Sequence, residues 1–316
     1  MATLLIIGGT GFFGKSILDS FKRNQLVRWK IDKVIIMSRN SHDFEENYPE
    51  LCSKGVDFLT GDISTIDFLP EADFVIHAAA SANTSKFLNR SEEEKNNIID
   101  GTLNYCNLAK KFHKKSKIIY CSSGAVYGYQ PNNLQFLEED NPFGDISKLD
   151  NIKKSYAYAK RDSEVAIREL GKKGINVSIA RCFSFVGKYL PRDQHFAMGN
   201  FIANGKNGTD IEVKTDRLVF RSYMNADDLV EWLLTIADNS KPTCPVYNVA
   251  SDKEIEIREL ANIASQIFNV SVKTVEINKN ATEDRYIPSI EKAKKELGLR
   301  INYALKESIL MSIGKD

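Results

Sequence analysis

Residues 3 to 14 of this chain read Thr-Leu-Leu-Ile-Ile-Gly-Gly-Thr-Gly-Phe-Phe-Gly. Gly8, Gly11 and Gly14 give the spacing GxxGxxG, and Gly9, Gly11 and Gly14 give GxGxxG. Glycines so closely set let the chain turn tightly and let backbone N–H groups approach a pyrophosphate. The positive end of a following helix adds to the attraction. Phe12 and Phe13 open such a helix, with helical spacing from Phe12 to Lys22, and an apolar run of strand length precedes the turn. That strand–turn–helix context separates a dinucleotide-binding turn from a tight turn in an unrelated α/β fold. A second set of residues lies downstream. Residues 120 to 128 read Tyr-Cys-Ser-Ser-Gly-Ala-Val-Tyr-Gly after another apolar strand, and Ser155-Tyr156-Ala157-Tyr158-Ala159-Lys160 opens a helix. Tyr156 and Lys160 are four apart and share one helical face. Taken alone, the pair also describes an exposed aromatic beside a solvated lysine.

The elements that must position these residues are legible. Strand patterns fall at 4–7, 33–37, 56–59, 74–77, 117–121 and 177–180, several of them near-continuous Val/Ile/Leu runs as in parallel strands covered on both faces. Helical patterns at 12–22, 92–113 and 156–171 alternate with them. The alternation predicts an α/β fold with a doubly wound parallel sheet. Ligands of such sheets bind at the carboxyl ends of the strands. Gly8–Gly14, Ser122–Ser123 and the segment after His77 all lie at such ends, and a helix beginning at Tyr156 would present its tyrosine to the same crevice. The basic run from Lys110 to Lys117 reads as a solvated helix terminus. Past Arg181 the pattern turns irregular: a glycine- and asparagine-rich stretch at 199–210, short strands, and helices at 227–238, 258–268 and 304–313.

Composition narrows the function classes. A chain of 316 residues, 42% hydrophobic and 27% charged, is that of an ordinary globular protein of one large domain or two. A net charge of +1 argues against nucleic acid as a partner. No apolar run approaches a membrane span, and the first strand leaves no room for a signal peptide, so a cytoplasmic location is expected. Cys52, Cys106, Cys121, Cys182 and Cys244 are odd in number and scattered, which suits reduced thiols. His42, His77, His113 and His195 form no ligand pair in the sequence, and no metal site is expected.

The motifs GGTGFFG, His77-Ala78-Ala79-Ala80, SSGAVYG and Tyr156-x-x-x-Lys160 together resemble the extended short-chain dehydrogenase/reductases, and within them the nucleotide-sugar epimerases, dehydratases and ketoreductases. Further segments agree along nearly the whole chain. Asp62–Ile63 is similar to the family's adenine-contacting pair, and Asn97 with Gly101–Thr102 to its helix after the fourth strand. Arg181-Cys-Phe-Ser-Phe-Val-Gly, Arg221-Ser-Tyr-Met-Asn-Ala-Asp-Asp and the stretch from Arg285 to Leu297 resemble its later motifs. The resemblance implies a Rossmann domain over 1–181, rejoined by about 224–270. The rest, 182–223 and 271–316, would form a smaller, discontinuous substrate-binding subdomain. It also implies a homodimer built on helices 92–113 and 156–171, with Ile98, Leu103, Ala109, Ala159, Val165 and Ala166 as candidates for the seam.

The resemblance assigns roles as well. Tyr156 becomes the proton donor or acceptor, Lys160 its modulator and a holder of the nicotinamide ribose, and Ser123 the hydroxyl that orients the reacting oxygen. A phenol must fall about three pKa units from its usual 10 to act as a base at neutrality, roughly 4 kcal/mol. One ammonium at about 4 Å supplies that much at an effective dielectric near 20. Gly8, Gly11, Phe12, Phe13, Gly14, Ser38, Arg39, Asp62, Ile63, Ala78, Ala79, Ala80, Asn97 and Ser122 become candidate cofactor contacts. Asn200, Arg221 and Arg285, with Ser123, become candidate substrate contacts, the arginines for a diphosphate. The arginines also suit surface ion pairs, and Ser184 stands where many relatives have Asn.

Two departures narrow the reaction. Gly124 and Ala125 follow Ser123 where the dehydratases carry proton-transferring side chains, which disfavours elimination of water. Ser38-Arg39 ends the second strand where NAD-preferring members carry a carboxylate, which favours NADP(H) over NAD(H) unless Arg39 merely stacks on adenine. The sequence therefore points to an NADP(H)-dependent enzyme on a nucleotide-diphosphate sugar. Reduction of a 4-keto-6-deoxy sugar is preferred, a 4-epimerase is the alternative, and a non-catalytic cofactor sensor is a distant third. The nucleotide base stays open.

Overall fold

The computed structural model describes residues 1–80, 84–147, 149–192 and 196–314, and the backbone alone for 84–89. His195, counted above among the unpaired histidines, lies outside the described residues. β1 (Ala2–Ile7) enters the glycine turn and α1 (Phe12–Lys22) leaves it. They are followed by β2 (Ile31–Ser38), α2 (Ser41–Asn47), β3 (Val56–Thr60), β4 (Phe74–His77), α3 (Thr84–Phe112), β5 (Lys117–Ser123), α4 (Asn151–Gly171) and β6 (Val177–Cys182). Beyond Cys182 come β7 (Phe185–Val186), α5 (Ala197–Lys206), β8 (Ile211–Val213), β9 (Val219–Ser222), β10 (Met224–Asn225), α6 (Ala226–Asp238) and β11 (Val246–Val249). The chain closes with β12 (Glu254–Glu256), α7 (Ile257–Phe268), β13 (Val272–Thr274), β14 (Asp284–Tyr286), α8 (Glu291–Leu297) and α9 (Leu305–Met311).

Among the described residues, seven of these strands form one sheet in the order β11-β6-β5-β4-β1-β2-β3. Every pairing in it is parallel. This is the doubly wound sheet the alternation predicts. Strand periodicity divides its side chains between two layers. Leu4 and Ile6 join Ile17, Leu18, Leu229 and Leu233 of α1 and α6 on one face. Leu5 and Ile7 join Tyr105, Leu108, Ile167 and Leu170 of α3 and α4 on the other. The order reverses between β1 and β4, which opens the crevice at the carboxyl ends of β1, β4 and β5.

Three differences from the sequence reading have physical causes. The helix carrying Tyr156 does not begin there: Asp150 caps α4 by accepting the Lys153 N–H at 2.9 Å, so Tyr156 lies more than a turn inside. The stretch 199–210 contains a regular helix, α5. Met198, Phe201, Ile202 and Gly205 are its buried face, spaced one, four, five and eight along, so the apolar stripe is helical despite the glycines. A Cβ at Gly199 would collide with the Pro191 carbonyl and one at Gly205 with the Phe268 ring; the glycines serve close approach. Third, α7 does not rejoin the sheet. Ile257, Leu260, Ala261 and Ala264 pack with Phe201 and Ile202 of α5 and Ile211 of β8. Conversely Ile290, Ala293 and Leu299 pack in the layer under α1 and α6.

Candidate active site

The glycine turn is built by its neighbours. Gly8 has φ +82, and a Cβ there would stand 2.6 Å from the Ala79 Cα; a Cβ at Gly14 would run into Gly9. Gly11 meets nothing nearer than 3.5 Å, which leaves its backbone open toward the crevice. It caps α1 without a side chain, so the first N–H groups of the helix are free for an anion. Phe12 and Phe13 contribute only backbone to that end, because their rings pack with Phe185 at centroid distances of 6.2 and 5.4 Å. Thr10 Oγ1 and Ser38 Oγ are 2.8 Å apart, which ties the turn to the end of β2. Arg39 stands beside, its guanidinium 3.7 Å from Asp62, with both side chains exposed. Burial works against the Asp62 charge, but hydrogen bonds from Ser64 and the nearby Arg39 outweigh it and hold the pKa below the usual value. Ile63 is buried in the layer under α3 and α4, and Asn97 lies exposed on α3. Ala80 and Tyr156 both pack against the cluster of Ile98 and Ala159, so the segment after β4 meets α3 and α4. Ser122 turns away from the crevice and donates to Glu164 at 2.7 Å, leaving it only backbone to offer a cofactor.

Ser123, Tyr156 and Lys160 converge at the end of β5. The Lys160 ammonium is buried, donates to the Cys121 carbonyl at 2.8 Å and to the Tyr120 hydroxyl at 3.3 Å, and lies 5.8 Å from the centre of the Tyr156 ring. Burial works against its charge; Tyr120 and Tyr156 more than offset this, so it holds its proton more firmly than an ordinary lysine. Tyr156 lies beside Lys160 and Ser123, both of which favour its phenolate. Its pKa differs from the expectation. Burial pushes it up, and Lys160 and Ser123 recover only part of the shift. Without a cationic ring beside it the residue is a phenol, ready to give a proton rather than take one.

Behind this trio lies a buried polar network. Arg181 grips Glu164 bidentately at 3.0 and 2.9 Å and also donates to Tyr127 at 3.0 Å. Tyr127 donates to Asn248 at 2.7 Å, and Asn248 holds the Leu137 and Ser289 carbonyls. The network joins β5 and α4, which carry the trio, to β6, β11 and the segment after β14.

The substrate-side candidates separate. β12, β9 and β14 form a small sheet in which Arg221 pairs with Tyr286 and Phe220 with Arg285. Strand alternation sends the two pairs to opposite faces. Arg221 lies beside Tyr286, 5.9 Å from its ring, and is held by Asp284 at 3.0 Å. Arg285 stacks on Phe220 at 4.7 Å and pairs with Glu254 and Glu283. The two arginines expected to share one diphosphate are not brought together. Asn200 lines a cleft of about 1030 Å³ with Asn204, Val213 and Lys214. The sequence reading missed Tyr120, Phe183 and Tyr286. The Tyr286 ring lies 4.5 Å from that of Phe183, and its hydroxyl stands where a Cβ at Gly124 would collide with it. The one sequence signal for it is its place next to Arg285 in a family-like segment.

A glycine turn at a strand-order reversal, with Ser, Tyr and Lys meeting at the adjoining strand end, defines an extended short-chain dehydrogenase/reductase. The model of the NAD dependent epimerase/dehydratase family matches residues 4–250, and the chain belongs to this family of NAD(P)-dependent enzymes. It is similar to UDP-glucuronic acid decarboxylase 3 of Arabidopsis thaliana, 26% identical over 97% of this chain and 86% of the relative. It is similar also to the UDP-N-acetyl-alpha-D-glucosaminuronate decarboxylase of Bacillus cytotoxicus, 28% identical over 86% and 82%. In fold it resembles the dTDP-glucose 4,6-dehydratase of Streptomyces venezuelae, with a TM-score of 0.82 at 21% identity over 99% of this chain and 96% of the other. The UDP-glucose 4-epimerase of Thermotoga maritima gives 0.81 at 20% identity over 99% and 98%.

Proposed function

We propose that this enzyme reduces C4 of a nucleotide-diphosphate 4-keto sugar at the expense of NADPH. The observation that carries the reading is the set of groups around Ser123. Tyr156 is a phenol kept protonated by burial, whereas Gly124 and Ala125 have no atom that can move a proton at a neighbouring carbon. The chemistry is thereby confined to one oxygen and the carbon that bears it. The open backbone at Gly11 and the helix end at Phe12 fit a pyrophosphate, and Ser38 with Arg39 suits a 2′-phosphate. A nicotinamide cofactor bound there supplies the hydride. Ser123 donates a hydrogen bond to the ketone oxygen and fixes its position, and Tyr156 gives that oxygen its proton. Lys160 then neutralises the phenolate left behind. Arg221 and Asn200 hold the nucleotide diphosphate.

The relatives favour a second reading. Oxidation at C4 of a nucleotide-linked uronic acid makes a β-keto acid, which sheds CO2 readily, and both curated relatives named above are decarboxylases. A 4-epimerase would use the same trio without net change in cofactor. The experiment is a panel of nucleotide 4-keto-6-deoxy sugars, hexoses and uronic acids incubated with reduced or oxidised cofactor. Stoichiometric loss of NADPH absorbance with a 4-keto sugar is expected. A new epimer or release of CO2, with no net cofactor change and no NADPH consumption on any ketone, overturns the reductase in favour of the corresponding rival.

A further inference from the structure

Lys160 is 2% exposed, yet both hydrogen bonds that hold its ammonium end on neutral oxygens. They are the Cys121 carbonyl at 2.8 Å and the Tyr120 hydroxyl at 3.3 Å, offered by consecutive residues of β5. Glu164 stands four residues further along α4, a spacing at which lysine and glutamate commonly pair. It is turned instead to Arg181 at 3.0 and 2.9 Å and to Ser122 at 2.7 Å. A buried charge without hydrogen bonds is costly, so the two neutral acceptors are what keep the ammonium in place.

Tyr120 is itself firmly held. It is fully buried, and in the sheet it pairs with His77 of β4 on one side and Ile179 of β6 on the other. The His77 ring meets its ring edge-on at 5.3 Å. Burial first, and then the charge of Lys160, keep His77 neutral, so no second cation competes for the hydroxyl. The ammonium lies 4.8 Å from the centre of the Tyr120 ring and 5.8 Å from that of Tyr156, with both phenols as neighbours.

We propose that Tyr120 is a positioning residue of the active site: its hydroxyl is a neutral acceptor that, with the Cys121 carbonyl, fixes the Lys160 ammonium to β5 and leaves its charge uncancelled for Tyr156. A lysine ammonium has three N–H donors, and β5 takes two of them. The third is left for the side on which Tyr156 lies. A carboxylate in the place of Tyr120 would hold the ammonium as well but would cancel its charge. The phenolate formed as Tyr156 gives up its proton would then lose its counter-ion. Arg181 serves the same end, because it engages the carboxylate of Glu164 on the helix that carries Lys160.

The inference rests on the proposed function only for the direction of proton transfer at Tyr156, and the test separates the two. The ammonium protons of Lys160 are observed by isotope-edited NMR of lysine-labelled protein, assigned as the signal lost in Lys160→Met. Neither cofactor nor substrate is needed. In wild type these protons are expected to exchange slowly with water, since a proton held on a fixed buried acceptor is lost only when the site opens. Exchange as fast as that of exposed lysines overturns the proposal. Tyr120→Phe keeps the ring and removes the acceptor, and exchange should quicken about tenfold or more. Tyr105→Phe is the control. Its hydroxyl is buried in the same layer with no partner among the described residues, so its loss should leave exchange at Lys160 as it was. If Tyr120→Phe does not fold, Tyr120→Met is read the same way. Unmoved exchange in the folded variant overturns the proposal, and so does equal quickening in Tyr105→Phe, which would mean a loosened layer rather than a lost acceptor. With a substrate in hand, Tyr120→Phe should lower kcat about tenfold with little change in the sugar KM, because Lys160 acts on Tyr156 and not on the sugar. Failure of every sugar nucleotide to turn over overturns the proposed function and leaves the exchange measurement to decide the role of Tyr120.

Discussion

Glu164→Gln is the most informative single change to the scaffold. Arg181 and Glu164 are each 3% exposed in the side chain and are joined by two hydrogen bonds. Burial works against the Arg181 charge, and Glu164 more than offsets it, so the guanidinium pKa is raised. Removing one charge strands the other in a dry interior, a loss of about 3–5 kcal/mol, far above that of an exposed pair. For 316 residues at about 2.1 cal/mol/K each, the unfolding entropy is near 0.66 kcal/mol/K, and the melting point should fall by about 5–8 °C. The amide keeps the volume, so packing does not confound the result. Ser122 loses a charged acceptor as well, and kcat should fall with the trio less firmly held. The assay is thermal unfolding by circular dichroism with and without cofactor, with Arg181→Met and the double variant completing a cycle. A melting point within about 1 °C of wild type would refute the argument, because a buried charge would then have lost its partner without consequence.

Four further outcomes are expected. His77 is buried beside Lys160; burial first and that charge second depress its pKa from 6.5 to about 3. The unfolded chain therefore takes up a proton as pH falls below 6.5 while the folded chain does not, and stability complete above that pH is lost below it. Denaturation at pH 7.5 and 5 should show about 2 kcal/mol more loss in wild type than in His77→Phe; equal losses would contradict it. Arg39→Asp should weaken NADP(H) about tenfold to a hundredfold relative to NAD(H), since a phosphate partner is replaced by a repulsive charge beside Asp62; tighter NAD(H) than NADP(H) binding in wild type would sink the preference. Arg221→Ala should raise KM for the sugar nucleotide with cofactor affinity unchanged, whereas Arg285→Ala, on the opposite face, should lower stability and leave KM alone; kinetics paired with cofactor titration distinguishes them. Leu103, Tyr158 and Val165 are exposed on α3 and α4, whereas Ile98, Ala109 and Ala159 are buried within the chain, so a homodimer on these helices would use the first three; light scattering of Leu103→Glu against wild type reads a loss of dimer, and a wild-type mass near 35.6 kDa refutes it.

The sheet and its cofactor end were legible because their signals are local. Leu4–Ile7 and Gly8–Gly14 are adjacent, and a continuous apolar run before clustered glycines has few other folds open to it. α5 was hidden because Gly199 and Gly205 look like loop residues until Pro191 and Phe268 are seen against them. α4 was placed late because its polar first turn depends on Asp150, not on apolar spacing. Ser123, Tyr156 and Lys160 could be named from spacing and resemblance, whereas Tyr286 could not, since its neighbour in sequence is Arg285 and its neighbours in space are Phe183 and Gly124. The expectation that Lys160, helped by a cationic nicotinamide ring, lowers the Tyr156 pKa left out burial, which pushes it up and which no motif contains.

The polar network behind the trio also orders events in time. Tyr127, just after β5, donates to Asn248 of β11, and Asn248 holds the Ser289 carbonyl. A chain made from its N-terminus presents Tyr127 long before Asn248 emerges, and N-terminal units fold first during synthesis. The phenol waits for this acceptor until the later strand docks, so the framework behind Ser123 is finished only when the C-terminal segments arrive.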